Sequence, residues 1–176
     1  MVQKGLIHIY TGSGKGKTTT ALGLCFRAAG WGIRSAFIQF MKGQETGELF
    51  SAEKLKDIMI FEQYGSCSFI KDKNSSAFRE HLVTAEKGFA RAGELLKEKR
   101  FSIVVLDEIL TLPQFGLLPE NKIIELIEMK PEEVELILTG RGATPELIRH
   151  ADLVTEMKEI KHYYSSGVIA RKGIEY

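Results

Sequence analysis

The sequence is poor in cysteine, and its charges nearly cancel. It contains two cysteines in 176 residues, and its formal net charge is +1. Neither Cys25 nor Cys67 lies in a CxxC or HxxxH spacing, so we expect reduced thiols and no zinc site. The balanced charge gives no support for nucleic acid or a membrane surface as the main partner.

Long apolar runs are also missing. No segment approaches the ~18 consecutive apolar residues of a membrane span, and the first residues, Met1 to Lys4, lack the apolar stretch of a signal peptide. We therefore expect a cytoplasmic protein. Repeats, low-complexity tracts and linkers are absent as well. A single domain covering residues 1–176 is predicted, and a domain of this size buries roughly 70% of its unfolded surface.

The four histidines do not form a Ser-His-Asp order, so chemistry by an activated side-chain nucleophile has no support in the sequence. His8 lies in a predicted strand, and His81 and His150 lie in predicted helices, where packing or surface roles are usual. His162 stands among basic and aromatic residues near the end of the chain. It is either a surface residue or part of a site.

Short apolar or β-branched runs alternate with helical patterns along the chain, which is typical of βαβ units. We predict an α/β fold, a P-loop NTPase-like domain whose mostly parallel sheet is covered by helices on both faces. The predicted strands are Leu6–Tyr10, Ser35–Phe40, Ile58–Gln63, Ile103–Leu106, Val134–Leu138 and Leu153–Met157.

The strongest helical pattern runs from Phe78 to Lys99, where apolar residues recur at intervals of three and four and form one stripe. Shorter helices are predicted over Pro119–Met129 and Pro145–His150. Loops are predicted over Gly43–Lys54 and Gly65–Ser76. Ligands of open α/β sheets bind at the carboxyl ends of the strands, so the residues that follow the strands should face one cleft.

A glycine-rich segment follows the first predicted strand and leads into a helical stretch from Ala21 to Ala29. In such a loop the backbone N–H groups turn toward phosphate oxygens, a lysine adds charge, and a threonine hydroxyl can ligate Mg²⁺. A plain basic turn is the alternative. The usual first glycine is replaced by Thr11, which gives a tighter loop. The predicted phosphate-binding residues are Gly12, Ser13, Gly14, Lys15, Gly16, Lys17, Thr18 and Thr19.

Two strand ends supply further candidates. Asp107 and Glu108 follow an apolar run, where P-loop proteins carry an acid that holds Mg²⁺ directly or through water. Arg141 stands between two glycines, with room to approach a phosphate or ribose. The alternatives are a solvated acidic strand end and a solvated turn arginine.

Several segments together resemble the P-loop ATP:corrinoid adenosyltransferases, and the resemblance spans nearly the whole chain. The tail is not a generic P-loop feature. The segments that carry the resemblance are 11–23, 27–32, 37–43, 104–108, 116–119, 138–142, 151–157, Lys161-His162 and the tail Ala170–Tyr176.

The resemblance implies an enzyme that transfers the 5′-deoxyadenosyl group of ATP to the Co(I) centre of a reduced corrinoid, such as cobyrinic acid a,c-diamide or cobalamin, and releases inorganic triphosphate. Co(I) is the nucleophile, so no side-chain base is required. Lys17, Lys15 and Glu108 would act on the departing triphosphate, with Mg²⁺, or Mn²⁺ as the alternative, held by Thr18 and Glu108. In this family the nucleotide is thought to lie reversed in the loop.

The resemblance also implies partners. A homodimer is usual in the family, and a reducing protein such as a flavoprotein would supply electrons. Where the family often carries two aromatics beneath the corrin, this chain has Cys67 and Phe69, so Phe69 is the expected corrinoid contact. A P-loop phosphotransferase acting on a small molecule and a non-catalytic nucleotide-gated corrinoid carrier are the alternative functions.

Overall fold

A computed structural model of the chain describes residues 4–68, 70 and 72–176. Its centre is one six-stranded sheet in the order β3-β2-β4-β5-β1-β6, and every strand pair is parallel. The strands are β1 (Ile7–Thr11), β2 (Ser35–Phe40), β3 (Met59–Tyr64), β4 (Ile103–Asp107), β5 (Glu135–Thr139) and β6 (Leu153–Glu156). The predicted α/β fold with a parallel sheet is confirmed, and each strand lies within a residue of its expected position.

In the part of the chain that the structure describes, six α-helices connect the strands, and short 3-10 turns lie at Ile109–Thr111 and Tyr163–Ser166. The helices are α1 (Lys17–Ala29), α2 (Gly47–Lys54), α3 (Ser76–Glu98), α4 (Leu112–Phe115), α5 (Glu120–Glu128) and α6 (Pro145–Arg149). Two helix starts are capped by side chains: Phe78 N donates to Ser75 Oγ, and Leu147 N donates to Thr144 Oγ1. Among the described residues, no helix combines the length and apolar character needed to cross a membrane.

The sheet separates two apolar cores, as expected for helices on both faces. Along β4, Val104 and Leu106 pack with α3, α5 and α6, whereas Ile103 and Val105 pack with α1 on the opposite face. This alternation follows from the period of two in a strand. All five residues of β4 are buried, which explains why its first four, Ile103 to Leu106, form a continuous apolar run.

The predicted loop over Gly43–Lys54 was wrong from Gly47 onward, where α2 forms. Glycines at 43 and 47 suggest a loop, but the residues after Gly47 are mostly good helix formers. Ala52 is buried and Leu55 packs against the core that contains α1, so burial stabilises the helix. Glu48 in the first turn and Lys54 in the last favour the helix dipole.

Candidate functional site

The glycine-rich segment forms the turn between β1 and α1, at the carboxyl edge of the sheet. Gly16 precedes the helix with φ 121°, and Gly12 has φ 101°, conformations that an L side chain rarely adopts. The sequence folds here as predicted, with strand, loop and helix in that order. The loop therefore presents backbone N–H groups at a helix start, where an anion is stabilised.

The loop glycines are also required by packing. The segment after β6 crosses the loop, and Gly14 N donates to the Met157 carbonyl over 2.6 Å. A Cβ on Gly14 would lie 2.7 Å from that oxygen, and one on Gly12 would lie 2.9 Å from Met157 N. Because neither contact is sterically tolerable, small residues are needed here whether or not phosphate is bound.

Lys17 is nearly buried at the first position of α1 and reaches back over the loop. Its Nζ donates to the carbonyls of Gly12, over 2.8 Å, and Gly14, over 3.0 Å. Burial lowers the pKa of Lys17, and the nearby Glu108 carboxylate opposes that shift. An ammonium group held in a desolvated position gains more from an incoming anion than a solvated one does.

Asp107 ends β4 and is fully buried, where it accepts three hydrogen bonds. Its Oδ2 accepts from Thr18 Oγ1 over 3.1 Å and from Gln39 Nε2 over 2.9 Å, and its Oδ1 accepts from Thr139 Oγ1 over 2.6 Å. Burial raises the pKa of Asp107, while these donors counteract the shift. The carboxylate thus orients the Thr18 hydroxyl. The hydroxyl proton is donated to Asp107, so the oxygen lone pairs stay available to a ligand.

Glu108 adopts the left-handed conformation with φ 62°, and its side chain lines the cavity described below. Its backbone N–H donates to Thr139 Oγ1 over 3.0 Å, and its Oε2 accepts from Thr111 Oγ1 over 2.6 Å. The two adjacent acids therefore differ in environment. Asp107 is enclosed by hydrogen-bond donors, whereas Glu108 faces the open site.

These groups fit a hard cation only in part. Among the described residues there is no cluster of three or more His, Cys, Asp or Glu side chains that could hold a metal by itself. The Thr18 hydroxyl and the two carboxylates are, however, the oxygen donors that Mg²⁺ prefers, and this ion usually takes its remaining ligands from phosphates and water. The donor set therefore suits a magnesium ion that arrives with a nucleotide.

One cavity of about 800 Å³ opens beside the loop. It collects residues from the ends of β1, β2, β4 and β5, from α1 and α2, and from the C-terminal segment. The predicted site residues in its lining are Ser13, Gly14, Lys15, Lys17, Thr18, Thr19, Glu108 and Arg141. His162, for which the sequence left a surface role and a site role open, lines the cavity as well. Gly12 and Gly16 shape the loop behind this lining. The cavity is amphipathic, since Leu22, Phe26, Ala52 and Leu55 supply an apolar wall between α1 and α2.

Lys15 does not point along the phosphate loop. Its Nζ donates to Glu175 Oε1, Tyr163 Oη and the Ile174 carbonyl, over 2.7, 2.8 and 3.1 Å. These residues are 148 to 160 positions away in sequence, and no periodicity or spacing indicates the contact. The sequence indicated a functional role for Ala170–Tyr176 only through its resemblance to the tail of a known family.

A second cavity of about 280 Å³ lies beyond Lys42, which lines both. Its wall includes Cys67, whose Sγ donates to the Gly43 carbonyl over 3.0 Å, and His81, whose Nε2 lies 2.9 Å from the Ser68 carbonyl. Phe69, the predicted corrinoid contact, lies outside the described residues. His8 pairs with Glu135 and does not line either cavity.

Comparison with known proteins identifies relatives along the whole chain. Residues 3–176 match the family described as ATP:corrinoid adenosyltransferase BtuR/CobO/CobP. A corrinoid adenosyltransferase of Sinorhizobium sp is 38% identical over 177 residues, covering 99% of this chain and 81% of the relative. The corrinoid adenosyltransferase of Escherichia coli K12 is 30% identical, covering 99% and 87%. The Salmonella typhimurium protein, corrinoid adenosyltransferase CobA, is 32% identical with the same coverage.

Among solved structures, a KaiC-like protein from the archaeon Pyrococcus horikoshii OT3 aligns with a TM-score of 0.59 and 16% identity. The match covers 98% of this chain and 76% of that one. At this identity the likeness concerns the fold alone. The family match over residues 3–176 and the three relatives carry the assignment. The chain belongs to the ATP:corrinoid adenosyltransferase family.

Proposed function

We propose that residues 1–176 act as one domain that binds ATP in the 800 Å³ cavity, transfers its 5′-deoxyadenosyl group to the Co(I) centre of a reduced corrinoid and releases inorganic triphosphate. The observation that carries this proposal is the convergence of Lys17, Thr18, Glu108 and Arg141 on one cavity at the carboxyl edge of the sheet. Phosphate-binding groups lie on one side of that cavity and an apolar wall lies on the other.

In the proposed reaction no protein side chain forms a covalent bond to either substrate. Co(I) attacks C5′ of the ribose, the C5′–O bond to the triphosphate breaks, and the electron pair leaves with that oxygen. No proton has to be removed, so the proposed reaction needs no side-chain base. The protein has to hold C5′ in line with cobalt and to stabilise negative charge on the departing triphosphate.

Charge stabilisation is assigned first to Lys17 and the loop N–H groups. The Lys17 ammonium uses two of its three N–H groups on described loop carbonyls, so one remains for a phosphate oxygen. Arg141, exposed at the end of β5 between two positive-φ glycines, can approach from the opposite side. Its backbone N–H is fixed by Thr111 Oγ1 over 3.0 Å.

A magnesium ion bound with the nucleotide would be held by Thr18 and Glu108, with Asp107 orienting the Thr18 hydroxyl. When bound, such an ion neutralises phosphate charge and improves the triphosphate as a leaving group. Manganese is the alternative ion of similar ligand preference. The contact of Asp107 with Thr18 supports a shared role for the two acids, with Glu108 the one that faces the cavity.

The corrinoid is proposed to enter where the two cavities meet at Lys42, beside the predicted loop that contains Cys67 and Phe69. The position of Phe69 beneath the corrin rests on the resemblance alone. The same holds for a homodimer and for a reducing flavoprotein as electron donor, whereas a cytoplasmic location is proposed from the apolar pattern of the sequence.

One product assay separates the candidate functions. The protein is incubated with ATP, Mg²⁺ and chemically reduced cobalamin, and the phosphorus products are identified by ³¹P NMR. We expect triphosphate in amounts equal to adenosylated corrinoid. ADP as the phosphorus product would indicate a phosphotransferase, and unchanged ATP with bound corrinoid would indicate a carrier. Either result would overturn the proposal.

A further inference from the structure

The C-terminal tail, residues 158–176, keeps its position with almost no burial of apolar side chains. None of its residues is buried, and its one regular element is the short turn at Tyr163–Ser166. Ile160 and Ile169 are largely exposed. Because the hydrophobic effect contributes little to holding this segment, its position depends on polar contacts.

Those contacts centre on Glu175. Its carboxylate accepts from Lys15 Nζ over 2.7 Å, from Arg171 N over 2.7 Å and from the Arg171 guanidinium over 3.2 Å, and it also pairs with the Tyr163 hydroxyl. The Arg171 guanidinium lies 4.9 Å from the centre of the Tyr163 ring. Arg171, Lys15 and Tyr163 together hold the pKa of Glu175 well below its usual range. Lys15 is the member of this cluster that belongs to the phosphate loop.

The anchored tail forms a wall of the main cavity. Gly173, Ile174, Glu175 and Tyr176 all line it, facing residues of α1 and α2. The end of the tail reaches α2, since a Cβ on Gly47 would lie 4.0 Å from the carbonyl group of Tyr176. The tail therefore bridges the phosphate loop and α2 across the proposed ATP site.

We infer that Lys15 is a positioning residue that acts on the nucleotide through the tail: with Tyr163 and Glu175 it fastens the C-terminal wall of the cavity. This inference rests on the proposed function for the identity of the nucleotide. Lys17 gives the contrast, because its Nζ donates to loop carbonyls, whereas all hydrogen bonds of Lys15 Nζ among the described residues go to the tail. Two lysines of one loop thus have separate tasks.

The test uses a double-mutant cycle in the full-length protein. Lys15→Met removes the charge and keeps the aliphatic stem, Glu175→Ala removes its partner, and the double variant carries both changes. Tyr163→Phe deletes only the hydroxyl group. Lys122→Met is the matched control, because it breaks a comparable Lys–Glu pair on α5, away from the cavity. Circular dichroism checks the fold of each variant.

The first measurement is hydrogen exchange of the backbone amides of residues 163–176 in the nucleotide-free protein. We expect exchange in Lys15→Met, Glu175→Ala and the double variant to rise by at least about fivefold and by similar factors, since each change breaks the same cluster. Tyr163→Phe should give a smaller rise and Lys122→Met none. Unchanged exchange in both Lys15→Met and Glu175→Ala would overturn the inference, and this outcome does not depend on the reaction catalysed.

The second measurement is the affinity for MgATP by calorimetry. If Lys15 acts through the tail, the two single variants and the double variant should weaken binding by the same factor, about fivefold, because the changes are not additive. If Lys15 contacts phosphate directly, Lys15→Met should weaken binding as much in the Glu175→Ala background as in the wild type. That result, or tighter binding by Glu175→Ala, would contradict the inference. Faster hydrogen exchange in the tail together with an unchanged MgATP affinity would contradict the inference as well.

Discussion

At the scale of single residues, the site depends on which charges are enclosed and which are exposed. Asp107 is fully buried and satisfied by three fixed donors, whereas Glu108 and Arg141 face the cavity. Lys17 lies between these cases, since it is buried and held by two carbonyls but keeps one N–H group for a ligand. Buried charges are expensive unless paired, so enclosed groups hold the geometry and exposed groups can change partners when a ligand binds. This division predicts different effects for substitutions that look alike in sequence.

Lys17→Ala should abolish ATP-dependent adenosylation and leave the fold intact. The ammonium group contacts loop carbonyls and not either apolar core, and its loss removes positive charge where the triphosphate departs. We expect turnover to fall by roughly 100-fold or more, as for other single donors that stabilise developing charge. Single-turnover kinetics with pre-reduced cobalamin, together with circular dichroism, make the test. Near wild-type turnover with an unchanged spectrum would remove Lys17 from the mechanism.

Glu108→Gln should raise the Mg²⁺ concentration needed for half-maximal turnover by at least roughly tenfold, because an amide is a poorer ligand than a carboxylate. Asp107→Asn should affect Mg²⁺ dependence less. It should instead lower the free energy of unfolding by ~1 kcal/mol, because it disturbs hydrogen bonds from Thr18, Gln39 and Thr139. If Asp107→Asn were the more damaging change to turnover at every Mg²⁺ concentration, the metal ligand would have been assigned to the wrong acid.

At the scale of elements, α3 shows how close packing brings a helix onto the sheet. Gly88 lies where α3 crosses the ends of β2 and β3, and a Cβ there would lie 2.7 Å from the Phe40 ring and 2.8 Å from Tyr64 Cγ. Gly93 lies on the same helix, and a Cβ there would meet no atom within 4 Å apart from the neighbouring backbone of α3. Gly88 and Gly93 therefore allow a matched pair of Gly→Ala substitutions on one helix, one at a close contact and one in open space.

Gly88→Ala should lower the free energy of unfolding by ~1–3 kcal/mol, because overpacking displaces aromatic rings from a filled interface. Gly93→Ala should raise it, by up to ~1 kcal/mol, from helix propensity alone. Urea denaturation of the two variants measures both values. A gain in stability for Gly88→Ala would show that α3 can move away from the sheet at little cost.

Elements also show what the sequence could predict. The strands were predictable because buried parallel strands consist of continuous apolar residues, as in β4, and α3 was predictable because its stripe is long. The short helix α2 was not, since Gly47 at its start and Gly43 before it outweigh a single buried alanine. The phosphate loop and the acidic pair were predictable from local order along the chain. The contact of Lys15 with Glu175 joins residues 160 positions apart and leaves no local pattern.

At the scale of the whole molecule, one buried thiol makes stability depend on pH. Cys25 lies on α1 against the sheet, fully buried, and burial raises the pKa of its thiol from 9.0 to about 11. In the unfolded chain the thiol ionises near its ordinary value, while in the folded protein it stays protonated. The stabilisation is therefore fully present below pH 9 and is lost as the pH rises toward 11.

We expect this loss to reach about 2 kcal/mol at pH 11, where the folded-state thiol is itself half ionised, out of the ~3 kcal/mol that corresponds to a shift of about two pKa units. The measurement is the free energy of unfolding from pH 8 to pH 11 for the wild type and for Cys25→Ala. The variant removes the ionising group, so the difference between the two proteins should change across this range. A constant difference would mean that the Cys25 thiol does not remain protonated in the folded protein.

The central claim for the whole molecule is that the adenosyl carbon leaves ATP for cobalt. It is tested most directly with ATP carrying ¹³C at C5′, incubated with Mg²⁺, pre-reduced cobalamin and the protein, and followed by ¹³C NMR. The proposed mechanism predicts that the label appears on the carbon bonded to cobalt, one equivalent for each triphosphate released. Label that remains on a nucleotide, with ADP as the accompanying product, would contradict it.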